Sequence, residues 1–143
     1  MMKQETRKPE APTDDLTHRI IGAAIRVHRE LGPGFLESIY EEALAIEFTE
    51  SQIHFERQKP LAVWYREHHI GEHRLDFLVE KAVIVELKAV VDFEKVHFAI
   101  VRSYLKAASV ADGLLLNFAT PTLGVKRVGR TFTGQSAITD FHA

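Results

Sequence analysis

The chain has 143 residues, 45% hydrophobic and 27% charged, which suits one soluble domain with a real core. A formal net charge of −2 argues against a basic nucleic-acid coat, but not against acids gathered at a site with bases along a groove. The absence of cysteine excludes disulfides, zinc-thiolate sites and iron–sulfur clusters. No run reaches the ~20 apolar residues of a membrane span and the N-terminus lacks a signal-peptide core, so a cytoplasmic protein is expected.

Residues 1–12 are charged and proline-bearing and read as a disordered tail, ahead of a single domain over 13–130. Thr13 or Asp14 can cap a first helix, in which Leu16, Ile20, Ala23, Ala24, Val27 and Leu31 recur at helical spacing. Gly32 and Pro33 stop it. His28, near its end, is expected to meet the last carbonyls or solvent. A second helix opens on Gly34–Tyr40 and runs to about Thr49. Ile39, Ala43, Leu44 and Ile46 supply its apolar packing, with Glu41, Glu42, Glu47 and Glu50 solvating it. Glu37 sits in the first turn, where the helix dipole favours an acid.

Ile53 to Lys59 alternates as a strand, which Pro60 should break, and Leu61 to Arg66 is the next. Consecutive His68 and His69 point apart in a solvated turn. After two further strands, Phe93 to Ala108 reads as a helix with a stripe of Val96, Ile100, Tyr104 and Ala107, widened by Phe98, Val101 and Leu105. Gly113 to Phe118 is a buried strand, and Leu123 to Val128 alternates as the last. Residues 131–143 carry no signal and read as a tail. The order α, α, β, β, β, β, α, β, β implies an α/β mixed sheet with helices on its faces, and the late helix implies a crossover between parallel strands.

The stretch His73–Val90 carries the chemistry. It reads as two apolar strands, with Arg74, Asp76 and Leu78 on one face of the first and Leu75, Phe77 and Val79 on the other. A turn of Glu80, Lys81 and Ala82 pairs Val79 with Val83. Asp76 then opposes Glu86, and Arg74 opposes Lys88; a one-residue slip would put Asp76 on the apolar face. Opposed carboxylates roughly 5 Å apart repel by about 3 kcal/mol at an effective dielectric near 20. Three remedies exist: a raised pKa, the neighbouring Arg74 and Lys88, or a divalent cation between the acids. The bland reading is a buried ion-pair cluster. The functional reading is a site where Asp76 and Glu86 hold Mg²⁺ or Mn²⁺ beside Lys88, a constellation suited to cutting phosphodiesters. Arg57, Arg74 and Lys106 are candidates for phosphate contact.

Several motifs in register resemble one family. They are Gly34-Phe35-Leu36-Glu37-Ser38-Ile39-Tyr40, the preceding Val27–Pro33, Glu56-Arg57-Gln58, Arg74-Leu75-Asp76, Val85-Glu86-Leu87-Lys88-Ala89, Ser103-Tyr104-Leu105-Lys106 and Leu115-Leu116-Asn117-Phe118. Together they are similar to the GxxExxY proteins of the PD-(D/E)XK nuclease-like superfamily, over roughly Leu16 to Val128. The resemblance implies a restriction-endonuclease-like αβββαβ core, here with an extra N-terminal helix and a C-terminal strand. It implies that Asp76, Glu86 and Lys88 are the metal-binding acids and catalytic lysine, that Glu37 adds a ligand directly or through water, and that Tyr104 faces the substrate. One departure stands out: the family's glutamine four residues before that tyrosine is Ile100 here. The implied activity is metal-dependent hydrolysis of DNA or RNA. The alternative is a weak or inactive nuclease fold acting as a nucleic-acid-binding or protein-interaction module. A homodimer is also open, since many proteins of this superfamily pair up to reach both strands.

Overall fold

The apolar run Val83–Lys88 lies at the centre of the molecule, covered on both faces as its composition requires. A computed structural model describes residues 14–129 and 138–142. The elements are α1 (Asp14–Leu31), α2 (Glu37–Glu50), β1 (Phe55–Tyr65), β2 (His68–Val79), β3 (Val83–Lys88), α3 (Lys95–Ala108), β4 (Asp112–Asn117), β5 (Gly124–Gly129) and β6 (Ile138–His142). The strands form one sheet in chain order; β3 and β4 are parallel and every other neighbouring pair is antiparallel. A parallel pair needs a long crossover, and α3 supplies it. The run α2-β1-β2-β3-α3-β4 is the αβββαβ core, with α1 before it and β5 and β6 after it. The tail segment 1–12 lies outside the described residues.

Two apolar layers hold the sheet. On one face, Ile20, Ala23, Tyr40, Leu44 and Phe48 of α1 and α2 pack on Phe77, Val79, Val83, Val85 and Leu87. On the other, Val101 and Leu105 of α3 pack on Leu75, Leu78, Ile84, Leu115 and Val128. Alternation along β3 therefore places Ile84, Glu86 and Lys88 toward α3.

Several expectations need correction, among them the turn at His68 and His69, which instead open β2 opposite Tyr65 and Trp64. Pro60 does not end a strand: β1 runs through it, pairing Pro60 with Arg74. The reason is position, since β1 is the outermost strand and an edge strand has a side on which no N–H is required. The C-terminal tail contains β6, which pairs with β5 along five positions. Leu75 does not share a face with Phe77. Across from Asp76, Gln58 adopts φ 48°, the ladder skips the Gln58/Asp76 step, and the alternation inverts there: Leu75 packs toward α3 and Phe77 toward α2. In α2 the buried stripe is Tyr40, Leu44, Ala45 and Phe48, while Ile39 and Ile46 are exposed. The aromatic pair decides that rotation: Phe48 meets Phe77 edge-on at 5.3 Å and Tyr40 stacks on Phe118 at 4.5 Å. In α3, likewise, Val101 and Leu105 are buried, whereas Val96 and Ala107 are exposed.

The turn between α1 and α2 explains the tyrosine that closes the Gly34–Tyr40 motif. Gly32 (φ 71°) and Gly34 (φ 113°) take backbone angles that side chains resist. Buried Tyr40 donates its hydroxyl to the Gly32 carbonyl at 2.6 Å and accepts the Phe35 amide at 3.1 Å. His28 is also buried; its Nε2 lies 2.9 Å from the Thr120 carbonyl, joining α1 to the β4–β5 loop rather than reaching solvent. Tyr40→Phe strips two backbone groups of their partner. Thermal unfolding is expected to show a loss of about 1–3 kcal/mol, with little change in the sheet's circular dichroism.

Candidate active site

The β2–β3 register is the one expected from the hydrophobic pattern: Val79↔Val83, Leu78↔Ile84 and Phe77↔Val85. The Ala82 amide donates to the Val79 carbonyl at 2.9 Å, and Glu80 and Lys81 take φ values of 50° and 56°. The ladder stops one step short of Asp76 and Glu86, where the strands part. Leu87's amide would otherwise be orphaned there. Asp76 Oδ2 accepts it at 2.9 Å, so the acid replaces the departed strand. Arg74 and Lys88 are consequently not a ladder pair. Arg74 is exposed and donates from Nη1 to the Gln58 carbonyl at 3.1 Å.

Glu86 is the buried acid of the site, 6% exposed, and its Oε1 has no hydrogen-bond partner. Its pKa is pushed up to about 8, chiefly by burial and then by the charge of Asp76, with Lys88 opposing both. Asp76 is also raised above the usual carboxylate range. Burial is the main cause, the Leu87 amide opposes it, the charges of Glu41 and Glu37 add to it, and Lys88 opposes it. Tyr104, reaching in from α3, is pushed up to about 12, first by burial and then by Glu86 and Asp76. Its ring stands edge-on to His73 at 4.5 Å. Acids from β2 and β3, the lysine and the tyrosine thus act on one another across the gap where the sheet opens.

Three participants were not expected from the sequence. Gln58 donates from Nε2 to Glu41 Oε1 at 2.6 Å and reaches Asp76 Oδ1 at 3.3 Å. Arg57 Nη2 binds Glu41 at 2.6 Å and Glu42 at 2.9 Å. Glu41 lies four residues past Glu37 and so shares its helix face, a spacing that marks it as part of the site rather than as a solvating residue alone. Arg57, expected at the phosphate, is committed to these acids instead. Asn117 is a third: its side chain bonds both the amide (3.1 Å) and the carbonyl (2.8 Å) of Val90, fixing the chain just past Lys88.

The remaining expected residues are more distant. Glu37 is exposed at the first position of α2, and its charge reaches Asp76. Among the described residues no group of three or more His, Asp and Glu side chains is arranged to hold an ion. Lys106 is exposed in the last turn of α3. Ile100 is half-buried one turn before Tyr104. His97 accepts the Glu94 amide at 2.9 Å as part of a capping box, a structural role.

An orphaned buried carboxylate oxygen, a second carboxylate beside it and an adjacent ammonium make a hard-oxygen donor set that fits a small divalent cation. A mixed sheet with this element order, opening at a D…E-x-K set, defines the restriction-endonuclease-like class. The family model of the PD-(D/E)XK nuclease superfamily matches residues 14–128, and the chain belongs to that superfamily. Nucleases of this superfamily generally use divalent metal ions. No curated protein and no solved structure matches the chain at a significant level.

Proposed function

We propose that the chain is a metal-dependent nuclease of the GxxExxY type that hydrolyses phosphodiester bonds of DNA or RNA. The observation that carries this reading is the buried Glu86 carboxyl, its Oε1 without a hydrogen-bond partner, acted on by the charge of Asp76. A fold tolerates a buried, unpaired carboxylate oxygen poorly unless something binds it. Asp76 and Glu86 would hold Mg²⁺ or Mn²⁺. Two carboxylates suffice, because Mg²⁺ commonly keeps several waters and takes its other ligands from substrate phosphate. The bound ion polarises the phosphoryl group and lowers the pKa of coordinated water.

The chain's own residues do the rest. The Leu87 amide fixes Asp76, and the Gln58 amide bridges it to Glu41. Lys88, held in place by β4 on one side and by Asn117 just beyond, orients the attacking water and offsets charge as it develops. Tyr104, with its pKa near 12, stays protonated and can donate to a phosphate oxygen. Arg74 and Lys106, both exposed, contact the flanking backbone, while Arg57 positions α2 through Glu41 and Glu42.

The test is cleavage of plasmid DNA and of a long RNA with Mn²⁺, comparing wild type with Glu86→Ala and Lys88→Ala. Each variant is expected to lose at least about 10²–10³-fold in rate. Equal rates in wild type and variants would assign the cleavage to a contaminant and overturn the proposal.

A further inference from the structure

The outer part of the β1–β2 hairpin covers nothing. Residues 64–72 are all exposed, yet they carry the chain's only tryptophan, Trp64, at 61% exposure, with Tyr65 at 57% and Ile70 at 62%. A ribbon that buries none of its rings gains little stability from them. The pairing shifts between Val63 and Trp64, from Val63↔Gly71 to Trp64↔His69, so Ile70 is the extra residue of a bulge; bulges sharpen twist and re-aim side chains. The Trp64 ring lies 5.3 Å from His69, and the Arg66 guanidinium lies 5.2 Å over the Tyr65 ring.

This tip is linked to the acids along the strands rather than across one face. Pro60, Ala62 and Trp64 alternate onto the face of β1 turned away from α3, with Arg74 opposite Pro60, whereas Leu61 and Leu75 face α3. Arg74 bonds Gln58, and Gln58 reaches Asp76. His69 and Asp76 are seven positions apart on one strand, about 23 Å along it.

We propose that this hairpin is an arm that takes the single-stranded flank of a nucleic-acid substrate, with an unpaired base stacked on Trp64. The inference rests on the nuclease reading and deepens it by naming the substrate class. An open ring face stacks on splayed bases, whereas bases in a duplex are already stacked on each other. The rings are interleaved with Arg66, Glu67, His68, His69 and Glu72 rather than framed by apolar residues, which is unlike the charge-depleted core of a protein interface; contact with a nucleic acid there therefore rests on ring stacking rather than on net charge.

Because Trp64 is the sole indole, its fluorescence reads the arm directly. The experiment titrates the full chain, in chelator and at low salt, with an oligothymidylate of about 20 nucleotides and with a duplex of equal length. Saturable quenching by the single strand is expected, with weaker binding of the duplex. With a labelled oligonucleotide, Trp64→Ala is expected to weaken single-strand binding about tenfold or more, and Trp64→Phe to retain most of it. Unchanged affinity in Trp64→Ala, equal affinity for duplex, or self-association through Trp64 without oligonucleotide binding would each overturn the arm. Cleavage separates the two readings. If Glu86→Ala abolishes cleavage but Trp64→Ala binds normally, the arm fails and the nuclease stands. If binding depends on Trp64 but wild type and Glu86→Ala show equal cleavage, the nuclease reading fails and the arm stands.

Discussion

Glu86→Gln is expected to abolish cleavage and, in the metal-free protein at pH 8, to raise the melting temperature by about 3–10 °C. That corresponds to roughly 1–3 kcal/mol for a domain of this size. The two effects have one cause. An ordinary glutamate titrates near 4.5, and in this fold Glu86 is pushed up to about 8, chiefly by burial and then by the charge of Asp76. Below pH 4.5 the side chain is protonated whether or not the chain is folded. Between 4.5 and about 8 the folded chain holds a proton that the unfolded chain has released, so stability falls as pH rises through that window. Glutamine keeps the shape, removes the titration and flattens that fall. A divalent ion should do the same to wild type by pairing with the carboxylate. Melting curves at pH 5, 6.5 and 8, with and without Mn²⁺, check this. A Glu86→Gln protein no more stable than wild type at pH 8 would show that the acids do not strain the apo fold.

Asp76 has two jobs, and two substitutions separate them. Its carboxylate accepts the Leu87 amide at 2.9 Å and carries the charge that faces Glu86. Asp76→Asn keeps an oxygen acceptor for Leu87 and removes the charge. Asp76→Ala removes both, leaving the amide of a buried strand without a partner at a cost of about 1–3 kcal/mol. The melting temperature of Asp76→Asn is therefore expected at or above that of wild type, and that of Asp76→Ala clearly below both. Cleavage is expected to fall about 10²–10³-fold in each, since neither offers a carboxylate to the ion. Equal stability of the two variants would mean that the Leu87 hydrogen bond contributes nothing.

The centre of this molecule is legible in its sequence because two independent constraints coincide there. Buried faces on both strands and a short turn admit one register, so Phe77↔Val85 follows from alternation alone. Local signals failed where tertiary context outranked them. Pro60 reads as a break, and only the sheet order, which puts β1 on the edge, shows why it is tolerated. Leu75 reads as sharing a face with Phe77, but the β1–β2 ladder breaks at the Gln58/Asp76 step and the alternation inverts there, which no sequence period encodes. The same kink brings Gln58 to Asp76 and Glu41, so the part of the site that was hardest to read arises from the irregularity. Ile39 and Ile46 reside on a plausible apolar stripe, yet α2 turns to bury Tyr40 and Phe48 against aromatic rings of the sheet and the β4–β5 loop. The β6 segment, with few apolar residues of its own, became a strand by pairing with β5.

The ion shared by Asp76 and Glu86 is tested most directly by calorimetric titration of wild type, Asp76→Asn and Glu86→Gln with Mn²⁺ at pH 7, repeated in buffers of different ionisation enthalpy. Wild type should bind at one site and release about one proton, because Glu86 must ionise to bind, and neither variant should bind there. Binding of equal strength in all three proteins, or no binding to wild type, would contradict the account.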